Sequence, residues 1–195
     1  MSTSVRSNYH HGDLRSALLD AAMEMVEAGE QFSLRAVARR ADVSQTAPYR
    51  HFADREALES ALAVRGFQEL GSQLSLDGRP ATSEEALVEF GVVYVNFALT
   101  HPGLFKLMFG QECDRENDER VLASTHLHAL LADSLREIFP HADHDNLATA
   151  LWALVHGLAF LHLDGKLPSH SDDDVAARVR ASFAALRTSF AGGVK

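Results

Sequence analysis

An all-helical fold is what this sequence predicts, and three observations predict it. Apolar residues recur at three- and four-residue spacing along most of the 195 residues, and no stretch alternates apolar and polar residues for long. Asp, Ser or Thr stands just before nearly every such segment, where a short polar side chain can accept the open N–H groups of a helix start. Glycine and proline fall mostly between the segments. About nine helices are expected.

Taken in order, Asp13 caps a first helix with Leu14, Leu18, Ala21, Ala22 and Met25 on its apolar face, ending at Gly29. Ser33 caps a second, with Leu34, Val37, Ala38 and Ala41 turned inward. Asp42-Val43 makes a tight turn, and Ser44 caps a short third helix to about Phe52. Asp54 caps a fourth, Arg55 to about Leu74, which reaches about 30 Å at a rise of about 1.5 Å per residue. Its Gly66 and Gly71 offer places to bend or to pack closely. DGRPATS at 77–83 reads as a loop, with Thr82 and Glu85 as a capping box for a helix to about Thr100. Pro102 starts the short helix PGLFKLMF. After the acidic QECDRENDE comes a helix from about Asp118 to Phe139.

Asp143 or Asp145 then opens a helix from Asn146 to Leu163 that is apolar nearly all round. Leu147, Leu151, Leu154, Leu158 and Leu161 line one face; Trp152, His156 and Phe160 line another. Its apolar run, Leu147 to Leu163, is short for a membrane span and carries His156 and His162, so a buried helix and no membrane partner are expected. Ser171, followed by three aspartates at the positive helix end, opens the last helix, with Val175, Val179, Phe183, Leu186 and Phe190 before Gly192-Gly193.

Composition sets bounds on function. The lone Cys113 rules out an internal disulfide and fits a reducing compartment, and the opening MSTSVRSNYHHGD carries no apolar leader, so a soluble cytoplasmic protein is expected. The net charge of −9 argues at first against nucleic acid. The charge is uneven, however: residues 1–66 hold eight Lys/Arg against nine Asp/Glu, whereas residues 67–195 hold ten against eighteen. Within 33–55 stand Arg35, Arg39, Arg40, Arg50 and Arg55 with only Asp42 and Asp54. A local cationic face of that kind can bind phosphates on an acidic protein, although Arg39 and Arg40 read equally well as solvated surface.

The informative segment is SLRAVARRADVSQTAPYRHFADREAL, residues 33–58. Two short capped helices joined by a tight turn make the helix-turn-helix pattern, in which the second helix reads base edges near its N-terminus. Gln45, Thr46 and Ala47 stand there: Gln can pair with adenine, while Ala and the Thr methyl suit a thymine methyl. Val43, Tyr49 and Phe52 supply apolar surface to lock that helix down. Pro48, at about its fourth position, removes a hydrogen bond and can distort it.

The stretch resembles the TetR family, whose equivalent reads roughly hxxhAxxhGVSxxxhYxHFxxKxxL. Val37, Ala38, Val43, Ser44, Tyr49, His51, Phe52 and Leu58 match; Asp42 stands where Gly is usual and Arg55 where Lys is usual. The resemblance, specific over 14–65, implies a DNA-binding domain at 1–55 and an effector-binding and dimerisation domain at 56–195. It implies phosphate contacts from Ser33, Ser44, Tyr49, His51 and Arg55, with Arg50 on phosphate or guanine, and a polar arm of Arg6, Asn8, Tyr9, His10 and His11 on the backbone or minor groove. It further implies a homodimer on a palindromic double-stranded operator, repression, and release by a small-molecule effector. Trp152, His156 and Gly157, with the opening YHHGDLR, resemble the Trp-His-Gly signature of one TetR subclass. Gly157 would allow a close helix crossing.

For an apolar or aromatic effector, the candidates are Phe90, Tyr94, Phe97, Phe105, Met108, Phe109, His128, Trp152 and His156, joined by Leu104, Leu127 and Leu131. Asn96, Thr125 and His126 are further orienting groups. Such stripes serve a core as readily as a pocket, and His156 reads as a packed core histidine or as a ligand contact. The His141-x-Asp143-His144-Asp145 cluster follows Pro140 at a helix boundary, where caps and charges are expected anyway, so neither metal nor cofactor is expected. No Gly-rich phosphate loop and no nucleophile elbow occur, which disfavours the rival reading of a helical enzyme or small-molecule-binding protein without an operator.

Overall fold

The computed structural model describes residues 11–75, 79–110 and 118–191. Arg6, Asn8, Tyr9, His10, Cys113 and Gly192-Gly193 lie outside the described residues, as do the side chains of His11, Asp13 and Phe190. Among the described residues stand eight α-helices and one 3-10 turn: α1 (His11–Glu27), α2 (Leu34–Arg40), the turn Pro48–Arg50, α3 (Arg55–Leu74), α4 (Glu84–Thr100), α5 (Pro102–Phe109), α6 (Asp118–Ile138), α7 (His144–Leu163) and α8 (Asp172–Ala191). They form two compact units, Met1–Ala63 and Val64–Lys195. The division falls within α3.

In the first unit, the faces of α1 and α2 bury Leu18, Ala22, Met25, Leu34, Val37 and Ala38, and Phe52, Leu58 and Leu62 join that core. Fixed punctuation positions these elements. Gly29, at φ +67, ends α1, with Glu30 N–H donating to Met25 O and Gly29 N–H to Val26 O. Ser33 Oγ accepts from Ala36 N–H at 3.2 Å, and Asp54 Oδ1 from Ala57 N–H at 2.8 Å. Asp42 ends α2 at φ 52, with the same bond pair from Val43 N–H to Ala38 O and from Asp42 N–H to Arg39 O. Asp is one of the few side chains that tolerates the left-handed region where the family pattern places glycine.

The third helix does not form as an α-helix. Pro48 lacks the N–H that Ser44 O would need, so that carbonyl takes Ala47 N–H instead, one residue short. Arg50 N–H to Ala47 O and His51 N–H to Pro48 O continue the tight pattern, and the segment winds as a 3-10 turn. Ser44 is not its side-chain cap: its hydroxyl pairs with Thr46 Oγ1 at 3.3 Å.

In the second unit, α4 packs against α5, α7 and α8, and α6 packs against α7. Ser83 rather than Thr82 caps α4, its Oγ accepting from Ala86 N–H at 3.2 Å. Asp143 caps α7 and Ser171 caps α8. The loop before α4 is pinned by Ser134, whose Oγ accepts from Ala81 N–H at 2.9 Å and donates to Leu130 O at 2.8 Å. Arg180 forks onto Glu89 and Arg187 reaches Glu84, both joining α8 to α4. Gly66 lies close against α5: a Cβ there would stand 2.5 Å from Met108 Sδ, whereas one on Gly71 would meet only ordinary contacts.

The expectation of a buried α7 is corrected. Only 22% of its most apolar window is buried, and by length and composition it is the one described helix able to cross a membrane. Its neighbours α4 and α6 cover one side, while Leu161 stays 44% exposed. Nor does Gly157 mark a close crossing within the chain, since a Cβ there would meet nothing within 4 Å.

Candidate DNA-contacting turn and ligand cavity

The 3-10 turn is anchored from beneath and open above. Pro48 and Phe52 are buried, the latter under the Arg15 guanidinium at 5.5 Å. Ser44, Gln45, Thr46, Tyr49 and Arg50 are exposed, with Ala47 and His51 half-buried. Tyr49, expected to help lock the segment down, is 51% exposed instead. With the chain wound three residues per turn, Pro48 takes the inward place and Tyr49 faces out. Two buried apolar anchors therefore hold a short run of polar and aromatic side chains toward solvent.

The cations around it differ in freedom. Arg40 is forked onto Glu30 at 2.9 and 2.7 Å with Glu24 nearby, and these carboxylates push its guanidinium further up. Arg39 and Arg35 are exposed. Arg55, at the start of α3, donates through Nε to Glu59 at 2.7 Å and lies 5.2 Å from the centre of the Phe32 ring. That holds the planar group in one orientation while its side chain stays 58% exposed. Ser33 is exposed at the N-terminus of α2, where the helix end favours an anion.

Within the second unit, α3, α4, α5, α6, α7 and α8 surround a cavity of about 80 Å³. Of the residues singled out from the sequence, Phe90, Tyr94, Phe109, Leu127, His128, Leu131 and Trp152 line it. Phe97, Phe105, Met108 and Leu104 do not; they are fully packed core, which a helical stripe could not distinguish from lining. Asn96, Thr125 and His126 also lie off the wall. Phe67 and Leu74 of α3, Ser124 of α6, Val155 of α7 and Phe183 of α8 were missed. Only the tertiary packing brings those five together, so sequence spacing carries no sign of it. Gly91 leaves room in the wall where a Cβ would stand 2.8 Å from Phe183.

His156 stands behind that wall rather than in it. Tyr94 Oη and His156 Nδ1 are 2.9 Å apart, and Trp152 Nε1–H donates to the same Tyr94 oxygen at 3.4 Å. The rings of Phe109, Phe160, Trp152 and Phe105 lie 4.9, 4.9, 5.5 and 5.7 Å from that of His156. This apolar box pushes the imidazole pKa down, favouring its neutral form, and burial pushes the Tyr94 phenol up. The histidine cluster before α7 serves local structure: Asp143 caps the helix and His144 Nε2 pairs with Phe139 O at 2.9 Å. Among the described residues no three His, Cys, Asp or Glu side chains converge as metal ligands would.

Comparison with known proteins agrees with this division. Residues 18–62 match the model of bacterial regulatory proteins of the tetR family, and residues 87–186 match the tetracyclin repressor-like C-terminal domain. An uncharacterized HTH-type transcriptional regulator of Bacillus subtilis, YobS, is 28% identical over 97 residues, 49% of this chain. The chain spans about half the length of that curated relative (51%). A protein of unknown function from Rhodococcus sp. RHA1 superposes with a TM-score of 0.78 at 31% identity, over 91% of this chain and 97% of that one. SmeT in its complex with triclosan shares the fold, with a TM-score of 0.57 at 16% identity over 86% and 90% of the two chains. Matched by family models in both units, the second over half of its length, the chain belongs to the TetR family of DNA-binding transcriptional regulators.

Proposed function

We propose that the chain is a homodimeric repressor whose 44–51 turns enter successive major grooves of a palindromic operator, and that a small molecule in the cavity releases it. The observation that carries the DNA half is the outward display of Gln45, Thr46, Tyr49 and Arg50 over buried Pro48 and Phe52. A short rigid turn of that kind can approach base edges without reordering. Ser33, Ser44, Tyr49, His51 and Arg55 contact phosphate, while Gln45, Thr46 and Ala47 contact bases. Dimerisation uses the uncovered faces of α7 and α8, where Leu161 and Leu186 are 44% and 42% exposed. Trp152, His156 and Gly157 are what favours the Trp-His-Gly subclass, the first two meeting at Tyr94 Oη.

For release, α3 is one continuous helix from Arg55 to Leu74, and Phe67 and Leu74 on it line the cavity. A ligand that prefers one arrangement of those side chains shifts the population of DNA-binding dimers, by no more than its affinity difference between the two states. Triclosan bound to SmeT is a precedent for small-molecule binding on this fold. Selection of bound duplexes from a random pool by the purified protein tests the reading. A palindromic consensus is expected; a folded protein that retains no duplex at low ionic strength would refute it.

A further inference from the structure

The hydrogen-bond accounting of the cavity wall limits what can fill it. Among the described residues that line it, none is Lys, Arg, Asp or Glu, so a charged ligand would lose its water with no counter-charge from them. The polar groups on the wall are few, and already paired. Trp152 Nε1–H is spent on Tyr94. That phenol oxygen, accepting from the indole, is also paired with His156 Nδ1 at 2.9 Å. The Ser124 hydroxyl donates to Val121 O at 3.0 Å. His128 Nδ1 lies 3.0 Å from Ser124 O, and a carbonyl can only accept, so Nδ1 carries a proton and the lone pair of the Nδ1–H tautomer is on Nε2. The edge-on contact with Trp152, ring centres 5.0 Å apart, fixes the ring. Among the described lining residues, what remains for a ligand is acceptor capacity, on His128 Nε2 and Ser124 Oγ.

We infer that the cavity selects neutral, largely apolar molecules bearing a hydrogen-bond donor, such as a phenol or alcohol, over the matching ether and over carboxylates. The inference rests on reading the cavity as the effector site. Trp152, the only tryptophan of the chain, lines the wall and reports on occupancy by its fluorescence. The full-length protein is titrated with para-butylphenol, para-butylanisole and para-butylbenzoate, three probes of one shape. The phenol is expected to bind about tenfold more tightly than the anisole, the effect of one hydrogen bond, with the benzoate weakest. In His128→Leu, at an exposed position, the phenol should fall to the level of the anisole. Anisole binding equal to phenol, or benzoate binding tightest, would overturn the donor rule while leaving the cavity a ligand site. No response to any of the three would remove the cavity itself as that site.

Discussion

Arg55 and His156 show how differently two polar side chains can be held. Arg55 is oriented by Glu59 and the Phe32 ring yet keeps most of its side chain in solvent, which suits a phosphate contact. Arg55→Ala should weaken binding to every duplex alike and lower the slope of log affinity against log salt by about 1. Unchanged slopes in parallel salt titrations would deny it that role. His156 is held neutral in an aromatic box, its pKa below the ordinary value of 6.5. The unfolded chain therefore binds a proton that the folded one resists. The stability this group contributes is complete above the ordinary imidazole pKa and is lost as the pH falls below it. His162, lowered by burial and by Arg178, acts in the same sense. Denaturant titrations across that interval should show stability falling with pH, with a shallower fall for His156→Gln; an identical fall would clear His156 of any part in it. From the sequence, His156 could be core or ligand contact; its partner Tyr94 lies 62 positions away, beyond the reach of any local pattern.

The elements were legible wherever punctuation is local. Gly29, Ser33, Asp54, Pro102, Asp143 and Ser171 each act within a few residues of themselves, and each starts or ends a helix as its chemistry predicts. The turn at 44–52 was harder, because the family pattern there implies an α-helix while Pro48 opposes it; the missing N–H prevailed, and a 3-10 turn results. Asp42 gives a direct test of such local chemistry. At φ 52 it bears the strain that glycine would avoid. Asp42→Gly should raise stability by about 0.5–1 kcal/mol, and Asp42→Val should lower it by at least as much. Thermal melts showing the reverse order would mean that the Asp side chain, rather than the backbone, decides that turn.

On the scale of the whole molecule, a single chain leaves an unfinished surface. α7 is apolar on faces that its neighbours α4 and α6 cannot all cover, and α8 changes along its length from buried Val175 and Val179 to exposed Leu186. Periodicity predicted two apolar faces on α7, but whether a face meets its own chain or another is not written in the spacing. A second copy is the proposed cover. Leu161→Glu should shift the dimer toward monomer in sedimentation and reduce operator affinity with it, because two turns must bind together to read a palindrome. A dimer unaffected by Leu161→Glu and Leu186→Glu together would move the interface elsewhere. Operator recognition rests on the 44–51 segment reading bases, and duplex selection repeated with Gln45→Ala tests that most directly. The consensus should change at one position, symmetrically in both half-sites, with the salt dependence of binding preserved. An unchanged consensus bound with unchanged affinity would contradict the assignment of that turn to the major groove.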